Sequence, residues 1–178
     1  MNQQRETMTS RERVRKAILH QPTDRTPIDL GMHFSSGISA FAYHHLRQHL
    51  GMDTERIEMI DPVQCLARVD PDVLERFHCD CILLRPGFSG INRWSPRPPF
   101  SFSIPDAMHP ENDDRGQWLV HHEGRRMRMP KGGYFFDGDW LSFFDGDESS
   151  PQFAATVREA ERLYKETDYY TMFMEFSA

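Results

Sequence analysis

The stretch QPTDRTPIDLGMHFSSGIS, residues 21–39, constrains this chain more than any other. Pro22 and Pro27 bracket Asp24-Arg25. Each proline fixes its φ and lacks an N–H donor, so no regular helix runs through this segment. A helix must end before Pro22, and an extended segment can begin at Pro27. Upstream, Thr9 and Glu12 form a T-x-x-E capping box, with Val14, Ala17 and Ile18 as an apolar stripe at helical spacing. Downstream, residues 27–32 (PIDLGM) read as a short strand ended by Gly31. Ser35 or Ser36 then caps a second helix, which places Ile38, Phe41, Ala42, His45 or Leu46, and His49 or Leu50 on one face. Gly51 stands where a left-handed terminator is expected.

The same punctuation recurs further on. Residues 56–60 (RIEMI) suggest a strand, and Asp70-Pro71 supplies an N-cap and a first-turn proline for a helix turning Val73, Leu74 and Phe77 inward. Residues 79–84 (CDCILL) read as a buried strand. Pro86, Pro96, Pro98, Pro99, Pro105 and Pro110 then mark a long loop, and such loops inside compact domains are usually functional insertions. Residues 116–138 form a β-meander turning at Glu123-Gly124 and Lys131-Gly132-Gly133, followed by an acidic link. Ser150-Pro151 opens a helix over 151–166 with Phe153, Ala154, Val157, Ala160, Leu163 and Tyr164 as its apolar set, and residues 168–176 read as a strand. Helix and strand therefore alternate, which predicts an α/β architecture with parallel strands. Residues 1–8 form a flexible leader, and 9–178 form one domain with an insertion at about 85–148. An apolar final strand without a covering helix predicts the N-terminal portion of something longer.

Composition bounds the partners. A net charge of −6 disfavours binding by phosphate neutralisation, so no nucleic acid is expected. Arg125, Arg126, Arg128 and Lys131 read as a solvated hairpin face. No apolar run approaches bilayer-spanning length and no secretory h-region opens the chain, so neither a membrane partner nor export is expected. An odd number of cysteines, 3, without framework spacing points to the cytoplasm.

Few local motifs carry chemistry. On a strand Cys79 and Cys81 share a side, but C-x-C beside His78 lacks further metal-ligand spacing, and packing is the better reading. His44-His45 and His121-His122 are expected at the surface, because adjacent residues do not share a face. G-x-S-x-G, G-x-G-x-x-G and P-loop patterns are absent. Position is more informative. The loop from Gly31 to Gly37 lies between a strand end and a helix start, where unpaired N–H groups favour anions. His33 is placed there to act as acid or base, with an unpartnered loop histidine as the competing reading. Ser35 and Ser36 line the same loop, while Arg85 follows CILL and Glu175 follows TMFM. These five residues form the expected small-molecule binding set, and no catalytic residue is assigned among them.

Residues 8–31, MTSRERVRKAILHQPTDRTPIDLG, resemble the opening of the uroporphyrinogen decarboxylase superfamily, in which a capped helix leads through Pro-Asp-Arg-x-Pro into the first strand. Here that segment is Pro22-Thr-Asp24-Arg25-Thr-Pro27, with an extra residue after Pro22. SSGISAFAYHHLRQHLG, DPVQCLARVDPDVLERFHCDC and GQW…PKGGYFFD continue the likeness to the branch containing corrinoid-dependent methyltransferases. The resemblance implies the N-terminal part of a (β/α)8 TIM barrel with a β-hairpin insertion. It implies a methyltransferase when complete, with zinc, a corrinoid protein partner and a homodimeric state, and no cofactor held by this portion. The alternatives are uroporphyrinogen III decarboxylation in porphyrin biosynthesis and a catalytically incomplete binding or assembly chain. The family's arginine-containing loop after the first strand is replaced by Gly31-Met-His-Phe-Ser-Ser, which removes the bidentate partners of a polycarboxylate. The late zinc ligands of the methyltransferase branch have no counterparts here, so His78, Cys79 and Cys81 inherit no metal role.

Overall fold

A computed structural model describes residues 6–84, 91–122, 124–138 and 151–173. The chain divides into two compact units. The first comprises Met1–Ser36, Val69–Pro86 and Gly146–Ala178; the second comprises Gly37–Arg68 and Gly87–Asp145.

In the first unit, helix α1 (Ser10–Ile18) begins as its capping box predicts. The Glu12 N–H donates to Thr9 Oγ1, and the Thr9 N–H donates to Glu12 Oε2. The helix ends before Pro22, with His20 in the left-handed region at φ 55°. There the N–H of His20 donates to Ala17 and that of Gln21 to Lys16, a Schellman closure made without glycine. Helix α3 (Pro71–Arg76) buries Val73 and Leu74 but leaves Phe77 39% exposed. Helix α4 (Pro151–Glu166) has the expected extent, yet of its apolar set only Leu163 is buried. Strands β3 (Cys81–Leu83) and β10 (Tyr170–Met172) pair in parallel.

The second unit holds helix α2 (Ala40–His49) and two four-stranded sheets. One has the order β2 (Leu66–Ala67), β1 (Ile57–Asp61), β5 (Phe102–Pro105), β4 (Ile91–Trp94); the other orders β6 (Glu111–Asn112), β7 (Trp118–His122), β8 (Arg125–Met129) and β9 (Asp137–Gly138). The meander is as the turns predict, with positive φ at Gly124 and Gly132. The core of the second unit is aromatic. Phe41, Phe100 and Phe102 pack with ring centroids 4.9 to 5.9 Å apart, and Trp94 adds a third side.

The expected partial (β/α)8 barrel is not present. The sheets are small, separate and mostly antiparallel or mixed, and the described strands form no closed barrel. Two local causes are visible. Residues 27–32 form no strand, because the Ile28 N–H donates to the Asp80 carboxylate, the Met32 N–H donates to Asp29 Oδ1, and Gly31 adopts φ 72°. No ladder can form where side chains take the main-chain donors. The proline-rich stretch after Arg85 contains the β4–β5 hairpin, and β5 inserts beside β1 in parallel over Ile57↔Phe102 and Glu58↔Ser103. Helix α2 begins at Ala40 after Ser39, because Ser36 is absorbed in a 3-10 turn over Phe34–Ser36. Its buried face is Ala40, Phe41, Tyr43, His44 and Arg47, rotated from the expected one, so His44 is buried while His45 is exposed.

Among the described residues no helix is long and apolar enough to cross a membrane.

Candidate functional site

The Asp24-Arg25 pair and its surroundings form the most heavily bonded polar cluster described in the first unit. Arg13, fully buried, sends Nε to Asp24 Oδ1 at 2.6 Å and Nη2 to Asp24 Oδ2 at 3.1 Å. Its Nη1 donates to Asp80 Oδ1, and Nη2 also reaches the Met8 carbonyl at 2.8 Å and Glu6 Oε2 at 3.3 Å. Arg25 forks onto Asp80 at 2.6 and 3.0 Å, donates to Glu6 Oε1 at 3.0 Å and holds the His78 carbonyl at 3.0 Å. Asp24 Oδ2 accepts the N–H groups of Thr7 and Met8 at 2.8 and 2.9 Å. Residues 6–8 of the expected leader are thus tied to this network.

Electrostatics follow from the geometry. The Arg13 guanidinium holds the Asp24 carboxyl well below the usual carboxylate range. Burial pushes Asp80 upward, but hydrogen bonds from Arg25, the Ile28 N–H, Ser10 and Arg13 outweigh it and the net direction is down. Burying charge is tolerable only with such pairing. Neither Arg13 nor Asp80 could be singled out by pattern, since an arginine beside Val14 and an aspartate inside Cys-Asp-Cys look like ordinary surface residues.

This network lies at the N-terminal end of the parallel pair. Beside it a cleft of about 210 Å³ is lined by residues including Glu6, Arg25, Glu75, His78, Asp168 and Tyr169. The loop following Leu30 lies at the opposite end. Asp80 donates its N–H to the Ile28 carbonyl at 2.7 Å, and Leu83 donates its N–H to Met32 Sδ at 3.3 Å, so residues 28–32 run alongside β3 from start to finish. In α/β sheets, ligands collect at the carboxyl ends of strands.

At that end His33, Ser35 and Ser36 do come together, and Asp29 joins them. Ser36 Oγ donates to Asp29 Oδ2 at 2.6 Å, and the Ser35 N–H donates to His33 Nδ1 at 3.0 Å. With Nδ1 accepting, the neutral imidazole carries its proton on Nε2 and offers a donor. Asp29, Ser35 and Ser36 are exposed and His33 is half-buried. Asp29 is hidden from sequence reading inside a stretch whose spacing suggests a strand; its Asx-type bonding to Met32 is the signal that could reveal it. Arg85 and Glu175 lie outside the described residues.

Cys79 and Cys81 are both buried, and burial pushes their thiols up to about 11 and about 12, with Asp29 and Asp80 adding to the effect. Among the described residues no group of three or more His, Cys, Asp or Glu is disposed to hold a metal ion.

No family model, curated protein or solved structure matches this chain.

Proposed function

We propose that this chain is the N-terminal portion of a uroporphyrinogen decarboxylase-like enzyme, methyl-transferring in its complete form with a corrinoid protein as partner. The observation that carries the reading is the position of the resembling residues. Asp24 and Arg25 are fixed in the buried network and direct residues 28–32 along β3, so the loop bearing His33 and Ser36 emerges at the strand's carboxyl end. That segment approaches a binding loop without needing a barrel. The loop can orient a small molecule through the His33 Nε2–H donor and the acceptor oxygens of Asp29 and Ser36. It contains no arginine or lysine between Leu30 and Ile38, which weakens the competing reading as a decarboxylase of a polycarboxylate tetrapyrrole. The zinc implied for the complete methyltransferase finds no donor set among the described residues, and no step is assigned to it.

The test is a paired assay of the protein in its complete form. Zinc content and methyl transfer from methylcobalamin to a thiol are measured beside uroporphyrinogen decarboxylation. Methyl transfer with stoichiometric zinc and no decarboxylation is the expected result. Decarboxylation without metal overturns the reading in favour of the namesake reaction, and absence of both activities leaves a binding or assembly role.

A further inference from the structure

A second site, in the second unit, does not depend on the decarboxylase-like reading. Arg97 lies in the connection between β4 and β5, half-buried. Its guanidinium carbon stands 4.7 Å from the Tyr134 ring centroid, 4.9 Å from Phe41 and 5.5 Å from Phe100. The Phe41 ring is turned 79° from Phe100 and 88° from Tyr134, so rings from α2, from the β4–β5 connection and from the turn after β8 surround the charge on different sides. Nη1 donates to the Gly133 carbonyl at 2.9 Å. That turn is closely fitted: a Cβ on Gly133 would meet Met129 Cγ at 2.7 Å and the Pro130 carbonyl oxygen at 2.9 Å.

Ring faces attract a cation, but they do not satisfy the in-plane N–H donors of a guanidinium. Among the described residues Arg97 meets one carbonyl and no carboxylate, whereas Arg13, Arg25 and Arg162 all sit on carboxylates. A half-buried charge without a counter-charge costs stability, yet three chain segments converge to fix this one in place. Tyr134, beside the cation, is 56% exposed.

We propose that Arg97 anchors a binding site for a small monocarboxylate with a flat apolar body, the carboxylate taking the free guanidinium N–H groups and the body resting against Tyr134. The planar fork of a guanidinium matches the two oxygens of a carboxylate. One cation balances one negative charge, which favours a monocarboxylate over a phosphate dianion.

The test titrates the whole chain with benzoate, benzamide and inorganic phosphate at constant ionic strength, followed by calorimetry and by the NMR signals of Tyr134. Benzoate is expected to saturate and to shift those signals, while its neutral isostere benzamide does neither. Arg97→Lys keeps the charge and loses the fork, and weakens benzoate binding by about tenfold; Arg97→Gln abolishes it. Equal binding of benzamide, tighter binding of phosphate, or no saturable response to benzoate overturns the proposal. Should Arg97→Gln lose its near-ultraviolet circular dichroism, the wild-type contrast of benzoate with benzamide decides alone.

Discussion

Donors from four residues, Ser10, Arg13, Arg25 and Ile28, converge on the buried carboxylate of Asp80, and two of them are guanidinium groups that would be left short of counter-charge without it. Asp80→Asn is therefore expected to lower stability by about 3–5 kcal/mol, the cost of breaking a buried ion pair by removing one member. Urea denaturation measures it, and a loss below 1 kcal/mol would mean that water replaces the carboxylate. The same chemistry fixes an acid limit. Asp24 and Asp80 both have folded values below the ordinary 3.8. Their stabilisation is present above that unfolded value and is lost as pH falls through the folded values. Stability should thus fall below about pH 3.8, and Asp80→Asn should flatten that fall in acid titrations followed by circular dichroism. The thiols behave in the opposite sense. Cys79 and Cys81, raised to about 11 and about 12 from 9.0, keep their protons in the folded state. Stability linked to them is full below the unfolded value and is lost as pH rises through the folded ones. Iodoacetamide at pH 8 is expected to label all three cysteines rapidly only after unfolding; fast labelling of Cys79 or Cys81 in the native protein would contradict their burial.

Elements are where the sequence spoke most clearly, and the reason is that caps and turns are settled within a few residues. Thr9 and Glu12 start α1 by satisfying each other's main-chain N–H groups, Asp70-Pro71 starts α3, and Gly51 at φ 69° closes α2 by passing its N–H to Gln48. Thr9→Ala should cost about 1 kcal/mol by thermal unfolding, since it removes an N-cap acceptor. Burial faces were less legible. In α2 the apolar residues Ala42, Phe41 and Leu46 do not distinguish neighbouring faces, and the second unit's aromatic core selects the one carrying Phe41, Tyr43 and His44. In α1 the expected Ile18 is 59% exposed while Arg13 is fully buried, because the paired carboxylates of Asp24 and Asp80 make an arginine the better occupant.

At the scale of the molecule, each unit holds its own core, ionic at the centre of the first and aromatic in the second. Phe102, fully buried against Phe41, Phe100 and Trp94, anchors the latter. Phe102→Ala is expected to cost about 3–5 kcal/mol, with hydrogen exchange accelerated first among amides of β1, β4 and β5. Unchanged protection there would show that the cluster is not the second unit's stabilising core. Sequence by itself determined where α1, α3 and α4 start and that residues 116–138 form a meander, because these depend on dihedral preferences and near-neighbour hydrogen bonds. Only tertiary structure decided that Asp80 takes the donor of residue 28 and prevents a strand, that β5 inserts beside β1, and that the described strands close no barrel. Those outcomes rest on pairings between residues far apart in the chain, for which local spacing carries no energy.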